Sequence, residues 1–311
     1  MKILITGGAG FIGSHLADRY LELGHEVAIV DNLITGQREN VPAAATFYEM
    51  DIGDPRLSEV FDRERPEVVS HQAAQMDVRK SVEDPVYDAT VNVLGSINLL
   101  QNCVQYGVRK FIFASTGGAI YGEQDYFPAD EEHPLRPLSP YGITKLTTEK
   151  YLYFYQQTYG LTYTVLRYAN VYGPRQNPHG EAGVVAIFTT RMLKGAQPII
   201  NGDGKQTRDY VYVGDVVKAG ELALTGGDNR IYNVGTGIET DVNTLFDKIA
   251  QFMDVPVEAV HGPAKPGEQR RSVLDYSRIK TELGWEPSVT LEEGLRRTVM
   301  FFREKFGVRV G

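Results

Sequence analysis

The apolar positions of the chain fall into two alternating rhythms. Lys2-Ile3-Leu4-Ile5-Thr6 is a short apolar run with polar ends, as a buried parallel strand requires. Leu16, Ala17, Tyr20 and Leu21 then recur at helical spacing up to Gly24. The same reading predicts strands at 26–30, 46–50, 67–70, 110–114 and 163–170, and helices near 56–64, near 86–106 and from Ser139-Pro140 through 159. Strands alternating with helices imply right-handed parallel crossovers. The expected fold is therefore α/β, a doubly wound parallel sheet of Rossmann type with ligands across the carboxyl ends of its strands.

Beyond Asn170 the pattern loosens. Pro174, Pro178, Gly180 and Gly183 mark a long connection into a smaller mixed α/β domain, with helices near 184–194, 214–225, 241–253 and 290–305. The expected division is 1–172 for the first domain and 173–311 for the second, with short strands near 208–212 and 230–234 partly returning to the first.

Between the first strand and its helix stands Gly7-Gly8-Ala9-Gly10-Phe11-Ile12-Gly13, which reads G-x-G-x-x-G from Gly8 and G-x-x-G-x-x-G from Gly7. Such glycines let a backbone approach a pyrophosphate at a helix N-terminus, whose free N–H groups favour an anion. Alone, the pattern is equally a tight turn with no ligand. Asp31 ends the second strand where the acid that holds a ribose 2′-hydroxyl is expected. A carboxylate there repels a 2′-phosphate, and Asn32-Leu33 bring no arginine, so NAD is expected rather than NADP. Asp51-Ile52, His71-Gln72-Ala73-Ala74 and Ser115-Thr116 also end strands and would face the same crevice, Asp51 toward adenine and Ala73-Ala74 leaving room for the cofactor backbone. Each of these alone is also an ordinary strand end.

Ser139-Pro140-Tyr141-Gly142-Ile143-Thr144-Lys145 sets a phenol and an ammonium four residues apart at a helix start, on one helical face. A tyrosine has a pKa of about 10, and bringing it near 7 takes roughly 4 kcal/mol of differential stabilisation. A fixed lysine cation is a source of that stabilisation.

Composition narrows the partners. With 311 residues, 42% hydrophobic and 23% charged, the chain can bury a full core, and its net charge of −8 disfavours nucleic acid or an anionic membrane as the main partner. Small molecules remain. The single cysteine, Cys103, lies in an apolar helical run and cannot form an internal disulfide, which fits a reducing, cytoplasmic setting. The chain opens directly on a strand, so neither a signal peptide nor a membrane span is expected. Six scattered histidines, none paired at a ligand spacing, predict no metal.

Taken in order, these motifs resemble the extended short-chain dehydrogenase/reductase family and, within it, the UDP-hexose 4-epimerases. The marks are the turn from Gly7 to Gly13, Ser115-Thr116, Tyr141 with Lys145, Arg167-Tyr168-Ala169-Asn170-Val171-Tyr172-Gly173 and Gln206-Thr207-Arg208-Asp209-Tyr210-Val211. The resemblance implies a bound NAD that takes a hydride from C4 of a UDP-hexose and returns it to the other face, interconverting UDP-glucose and UDP-galactose. It casts Tyr141 as the base at O4, Lys145 as the group that lowers its pKa and holds the nicotinamide ribose, and Thr116 as the partner of O4. The loop after Thr116 is one residue longer than in many epimerases, so Thr116 and Ser115 both stay candidates for that hydroxyl. The implied cofactor set is Gly7, Gly10, Phe11, Ile12, Gly13, Asp31, Asn32, Asp51, Ile52, Ala73, Ala74, Asn92, Ser115, Tyr141, Lys145 and Tyr168. Asn170 and Arg208 are implied at the sugar and diphosphate.

Lys265-Pro266-Gly267-Glu268 resembles the family's Arg-x-Gly-Asp/Glu, so the diphosphate contact falls to Lys265, Arg270 or Arg271, with Glu268 beside them. Ser272 stands where a bulky residue in some relatives blocks an N-acetyl group, which implies tolerance of UDP-N-acetylhexosamines. Gly117 and Gly118 replace the Asp-Glu pair of the related 4,6-dehydratases and disfavour water elimination. Aromatics along 145–159 exceed one core face and, as in the family, imply a homodimer. A UDP-glucuronate 4-epimerase or decarboxylase remains an alternative, as does a dinucleotide sensor without catalysis.

Overall fold

The computed structural model describes residues 1–178, 183–253, 256–264 and 269–307. Its strands are β1 Lys2–Thr6, β2 Glu26–Asp31, β3 Thr46–Glu49, β4 Val68–His71, β5 Lys110–Thr116, β6 Thr162–Tyr168, β7 Asn170–Tyr172, β8 Ile199–Asn201, β9 Thr207–Tyr212, β10 Arg230–Val234, β11 Glu239–Asp241 and β12 Val260–Gly262. Its helices are α1 Phe11–Glu22, α2 Leu57–Glu64, α3 Val78–Glu83, α4 Pro85–Ala89, α5 Gly95–Tyr106, α6 Pro140–Tyr159, α7 Val184–Leu193, α8 Val213–Ala223, α9 Val242–Ala250, α10 Ser277–Leu283 and α11 Leu291–Phe306. No helix among the described residues is long and apolar enough to cross a membrane.

Seven parallel strands form the main sheet in the order β10-β6-β5-β4-β1-β2-β3. The chain runs outward from β1 through β2 to β3, then starts again on the other side of β1 with β4. This reversal opens a crevice between β1 and β4 at their carboxyl ends. Period-two alternation covers both faces. Ile3 and Ile5 pack toward α1 and α8, while Leu4 packs toward α2 and α5 with Phe111 and Phe113. A third core joins α7, α9 and α11 to the small sheet β11-β9-β7.

Several differences from the sequence reading bear on the site. The run 163–170 is not one strand, because Ala169 gives its N–H to Val234 and the chain then leaves the main sheet. Asn170 therefore begins β7, paired in parallel with β9. Of the two short strands expected to return, only β10 does, lying parallel beside β6, whereas β9 stays between β7 and β11. The helix expected over 86–106 is interrupted by a π-helical turn over Thr90–Leu94 that carries Asn92. Helices α3 and α10 and strands β8, β11 and β12 were not expected. They are short, and α3 depends on Asp77 capping the N–H groups of Arg79 and Lys80.

Candidate active site

The glycine turn wraps the entry to α1. Gly7 takes a positive φ of 70°, and a Cβ on it would lie 2.6 Å from the backbone nitrogen of Ala73. A Cβ on Gly13 would lie 2.2 Å from the Gly7 carbonyl, so the helix can start this close to the strand only without a side chain there. Gly10 precedes the first helical residue, Phe11, and is less confined: an added Cβ would meet only the Gly7 carbonyl, at 3.2 Å. Phe11 and Ile12 are half-buried on the first turn of α1. This cradle fits a pyrophosphate.

Asp31 is buried and accepts from the N–H of Ala9 at 3.0 Å and of Leu33 at 2.8 Å. Burial pushes its carboxyl up, opposed by those two bonds. Asn32 donates to Asp51 at 2.8 Å, and Gly53 N–H donates to the other oxygen of Asp51 at 2.7 Å. Asn98 holds the carbonyl of buried Ile52 at 2.7 Å. Ala73 and Ala74 follow β4 across the crevice from the glycines. Tyr168 differs from the rest: its ring is buried in the core shared with Tyr20, while its carbonyl takes the N–H of Gly117 at 2.7 Å.

The second half of the site is built on α6. Ser139 caps it by accepting from Gly142 N–H at 3.2 Å, with Pro140 in the first turn, so the helix begins one residue before Tyr141. A Cβ on Gly142 would lie 2.8 Å from the Ala119 carbonyl. The helix start is thereby pressed onto the loop after β5, which sets Tyr141 against Thr116. Lys145 is buried and donates to the Ala114 carbonyl at 2.9 Å, with its ammonium 5.9 Å from the centre of the Tyr141 ring.

The two neighbouring hydroxyls separate cleanly. Ser115 is buried and donates to Glu149 at 2.6 Å. The hydroxyl of Thr116 faces the Tyr141 phenol closely enough to favour its ionised form. The expected lowering of the phenol is nonetheless absent in the protein alone. Tyr141 keeps part of its surface open, yet crowding by protein atoms pushes its pKa up to about 12, with Asp88 adding to the rise. Burial likewise pulls Lys145 down to about 8, opposed by Asp88 and Glu149.

Asn170 reaches the same pocket. A Cβ on Gly118 would lie 3.5 Å from Asn170 Oδ1 and 3.9 Å from Thr116 Oγ1, so Gly118 leaves an open floor between the two. Gly117 is different, since a Cβ on it would lie 2.3 Å from Leu274. Arg208 is half-buried on β9, beside the strand that carries Asn170. Arg270 forks onto Asp203 at 2.9 Å through two nitrogens, and Arg271 onto Glu239 at 2.6 and 3.0 Å. Both guanidinium forks thus already meet carboxylates. Ser272 is buried just before Val273, whose N–H donates to Gln124 at 3.1 Å. Lys265 and Glu268 lie outside the described residues.

The contacts that tie the floor of the site together were not foreseen from the sequence. Asn92 accepts from the N–H of Gln75 at 2.8 Å and donates to its carbonyl at 2.9 Å, which ties the π turn to the loop after β4. His71 is buried between Thr6 Oγ1 at 2.6 Å and Ser96 Oγ at 3.0 Å, and burial drives its pKa down to about 3. Glu149 and Arg167 form a buried two-pronged pair at 2.6 and 3.0 Å. The sequence reading names Asn92 as a cofactor residue, His71 as a strand end facing the crevice and Arg167 within a family motif, but not Glu149, which shows in the sequence only as a charge one turn after Lys145 on α6. Among the described residues no group of three or more His, Cys, Asp or Glu is placed to hold a metal.

A parallel sheet with its glycine turn at the switch point, facing a tyrosine and lysine one helical turn apart, defines a Rossmann-type dinucleotide enzyme. The chain belongs to the NAD dependent epimerase/dehydratase family, whose model matches residues 3–235. It is 46% identical over 312 residues to the UDP-glucose 4-epimerase of Mycolicibacterium smegmatis, covering 98% of this chain and 99% of that one. The structure of the Thermotoga maritima UDP-glucose 4-epimerase with UDP-glucose matches with a TM-score of 0.97 at 54% identity, covering 98% of this chain and all of that one (100%). That of the Thermus thermophilus UDP-glucose 4-epimerase in complex with NAD matches with a TM-score of 0.94 at 50% identity, covering 97% and 99%.

Proposed function

We infer that this protein is an NAD-dependent isomerase that interconverts UDP-glucose and UDP-galactose by transient oxidation at C4. The observation that carries the reading is the convergence of Tyr141, Thr116 and Asn170 on the open floor at Gly118, beside a glycine turn fitted to a dinucleotide. The similarity to UDP-glucose 4-epimerases over nearly the whole chain supports the same substrate.

When bound, NAD supplies the hydride acceptor and donor at C4, together with a ring cation that the chain itself lacks. Gly7, Gly10, Phe11, Ile12 and Gly13 would hold its pyrophosphate, Asp31 and Asn32 the adenine-side ribose, Asp51 and Ile52 the adenine, and Ala73, Ala74, Asn92, Tyr168 and the main chain of Ser115, whose hydroxyl is taken by Glu149, would line its path. Tyr141 takes the O4 proton as a phenolate and returns it at the end, so neither proton nor electrons are gained or lost overall. Thr116 aligns O4 with the phenol. Lys145 supplies a fixed cation beside the phenol and a donor for the nicotinamide ribose. Asn170 and Arg208 hold the sugar and diphosphate, with Lys265 and Glu268 completing the group. The occupied forks of Arg270 and Arg271 favour Lys265 over either arginine.

We further propose that residues 1–172 bind NAD and 173–311 bind the nucleotide sugar, with α8 and β10 lent back to the first part. Small Ser272 supports turnover of UDP-N-acetylhexosamines, which conversion of UDP-N-acetylgalactosamine would test. The exposed Val86, Leu94, Tyr153 and Phe154 on neighbouring helical segments support a homodimer, and the free, buried Cys103 supports a reducing, cytoplasmic setting. The decisive experiment is to incubate the purified protein with UDP-galactose and follow UDP-glucose. Tyr141→Phe should lower kcat on the order of 10²- to 10⁴-fold while UDP still binds. Unchanged turnover in that variant would remove the mechanism.

A further inference from the structure

Asp88, on α4, is fully buried and has no part in the proton transfer described above. Its oxygens take three hydrogen bonds, all from uncharged donors: Gln75 Nε2 at 2.9 Å and Asn92 Nδ2 at 3.1 Å on one, and the Thr144 hydroxyl at 2.9 Å on the other. Thr144 immediately precedes Lys145, and its hydroxyl also lies 2.9 Å from the Tyr141 carbonyl. The other buried carboxylate near Lys145, Glu149, is already matched by the two-pronged contact from Arg167. With that pair set aside, Asp88 is the buried anion left acting on the buried Lys145 ammonium. His71 of β4 is held neutral by burial and adds no charge. On α3, Arg79, Lys80 and Glu83 lie at the surface, and Lys110 of β5 is engaged with Asp228. The described residues of α5 carry no charge.

We propose that Asp88 is a positioning residue for the epimerase reaction: it is the counter-ion of the buried Lys145 ammonium and, through Thr144, fixes the turn of α6 that carries Tyr141 and Lys145. The proposal rests on the epimerase reading above. An isolated ammonium in so dry a pocket would shed its proton near neutrality, and a neighbouring anion opposes that loss. The same anion makes the phenol harder to ionise. Asp88 therefore moves both groups in the same direction, upward, as its contributions at Tyr141 and Lys145 show.

Asp88→Asn keeps the shape, and Thr144 can then accept from the new amide while donating to the Tyr141 carbonyl. In the NAD-loaded full-length protein, both limbs of the pH profile for UDP-galactose turnover should move by about one pH unit toward acid. Thr144→Val, which breaks the hydrogen bond and keeps the charge, should lower kcat without moving the limbs. Tyrosinate absorbance, taken as a difference against Tyr141→Phe in each background, should appear at lower pH in Asp88→Asn. A second measurement covers poor folding of that variant. Lys145→Met leaves Asp88 an unmatched buried anion, so adding Asp88→Asn to it should raise the urea midpoint. Limbs and tyrosinate onset that do not move, limbs moved as far by Thr144→Val, or a double variant no more stable than Lys145→Met would each overturn the proposal. Absence of UDP-galactose turnover in the wild type would instead sink the epimerase reading, and the tyrosinate and urea measurements would still judge Asp88.

Discussion

Ser115 donates its hydroxyl to Glu149 across 2.6 Å, while Glu149 closes its two-pronged pair with Arg167. Adjacent hydroxyls at the end of β5 thus do different work: Ser115 belongs to the packing under α6, and Thr116 faces the phenol. Thr116→Val should lower kcat for UDP-galactose on the order of 10²-fold with KM little changed. Ser115→Ala should act chiefly on the urea midpoint. Equal losses of kcat in the two variants would contradict this division.

Glu149 is also the partner that makes a buried guanidinium tolerable. Removing it by Glu149→Ala leaves Arg167 charged and unmatched in the core, which should destabilise the fold by about 3–5 kcal/mol. Replacing both residues by methionine should recover much of that loss, because the apolar pair carries no desolvation cost. Urea unfolding of the single and double variants decides the matter.

His71 makes stability fall in acid. Its folded pKa is near 3, whereas an imidazole in the unfolded chain titrates at about 6.5. Below that value the unfolded chain binds a proton that the folded one does not, so stability is lost as pH falls from about 6.5 toward 3. Between pH 6.5 and 5 this one group should account for about 1.5 kcal/mol. His71→Gln should show a shallower decline with acid, and parallel declines would show that the buried imidazole is not responsible.

Gly117 and Gly118 should respond in opposite ways to the same methyl group. At Gly118 an alanine meets only ordinary contacts, 3.5 Å from Asn170 and 3.9 Å from Thr116, so the fold should persist while KM for UDP-galactose rises about 10-fold. At Gly117 the methyl group would press on Leu274 at 2.3 Å and should cost about 1–3 kcal/mol of stability. Thermal unfolding alongside initial rates separates the two outcomes.

The proposed dimer face can be broken without touching the site. Val86 is 75% exposed and Leu94 59%, both on the segment that packs against α6. A carboxylate at either position, by Val86→Glu or Leu94→Glu, should convert a dimer to a monomer in light scattering. A wild-type monomer at micromolar concentration would rule out the dimer.

Where the physics is local, the sequence by itself was sufficient. Alternating apolar positions had to bury both faces of a parallel sheet, Ser139 and Pro140 had to start a helix just before Tyr141, and the glycines had to make the turn before α1. The tertiary structure decided what depends on distant closure. The sequence predicts a partial return of both 208–212 and 230–234, and only the strand pairing could show that β10 alone joins the main sheet, beside β6; only the exit at Ala169 could bring Asn170 to Gly118. The same holds for charge. Four residues separate Tyr141 from Lys145 in any helix, but the shifts of both groups follow from burial and from Asp88, which reaches them only when α4 packs on α6. Spacing along a chain places side chains on a face, whereas desolvation and counter-charges belong to the assembled interior.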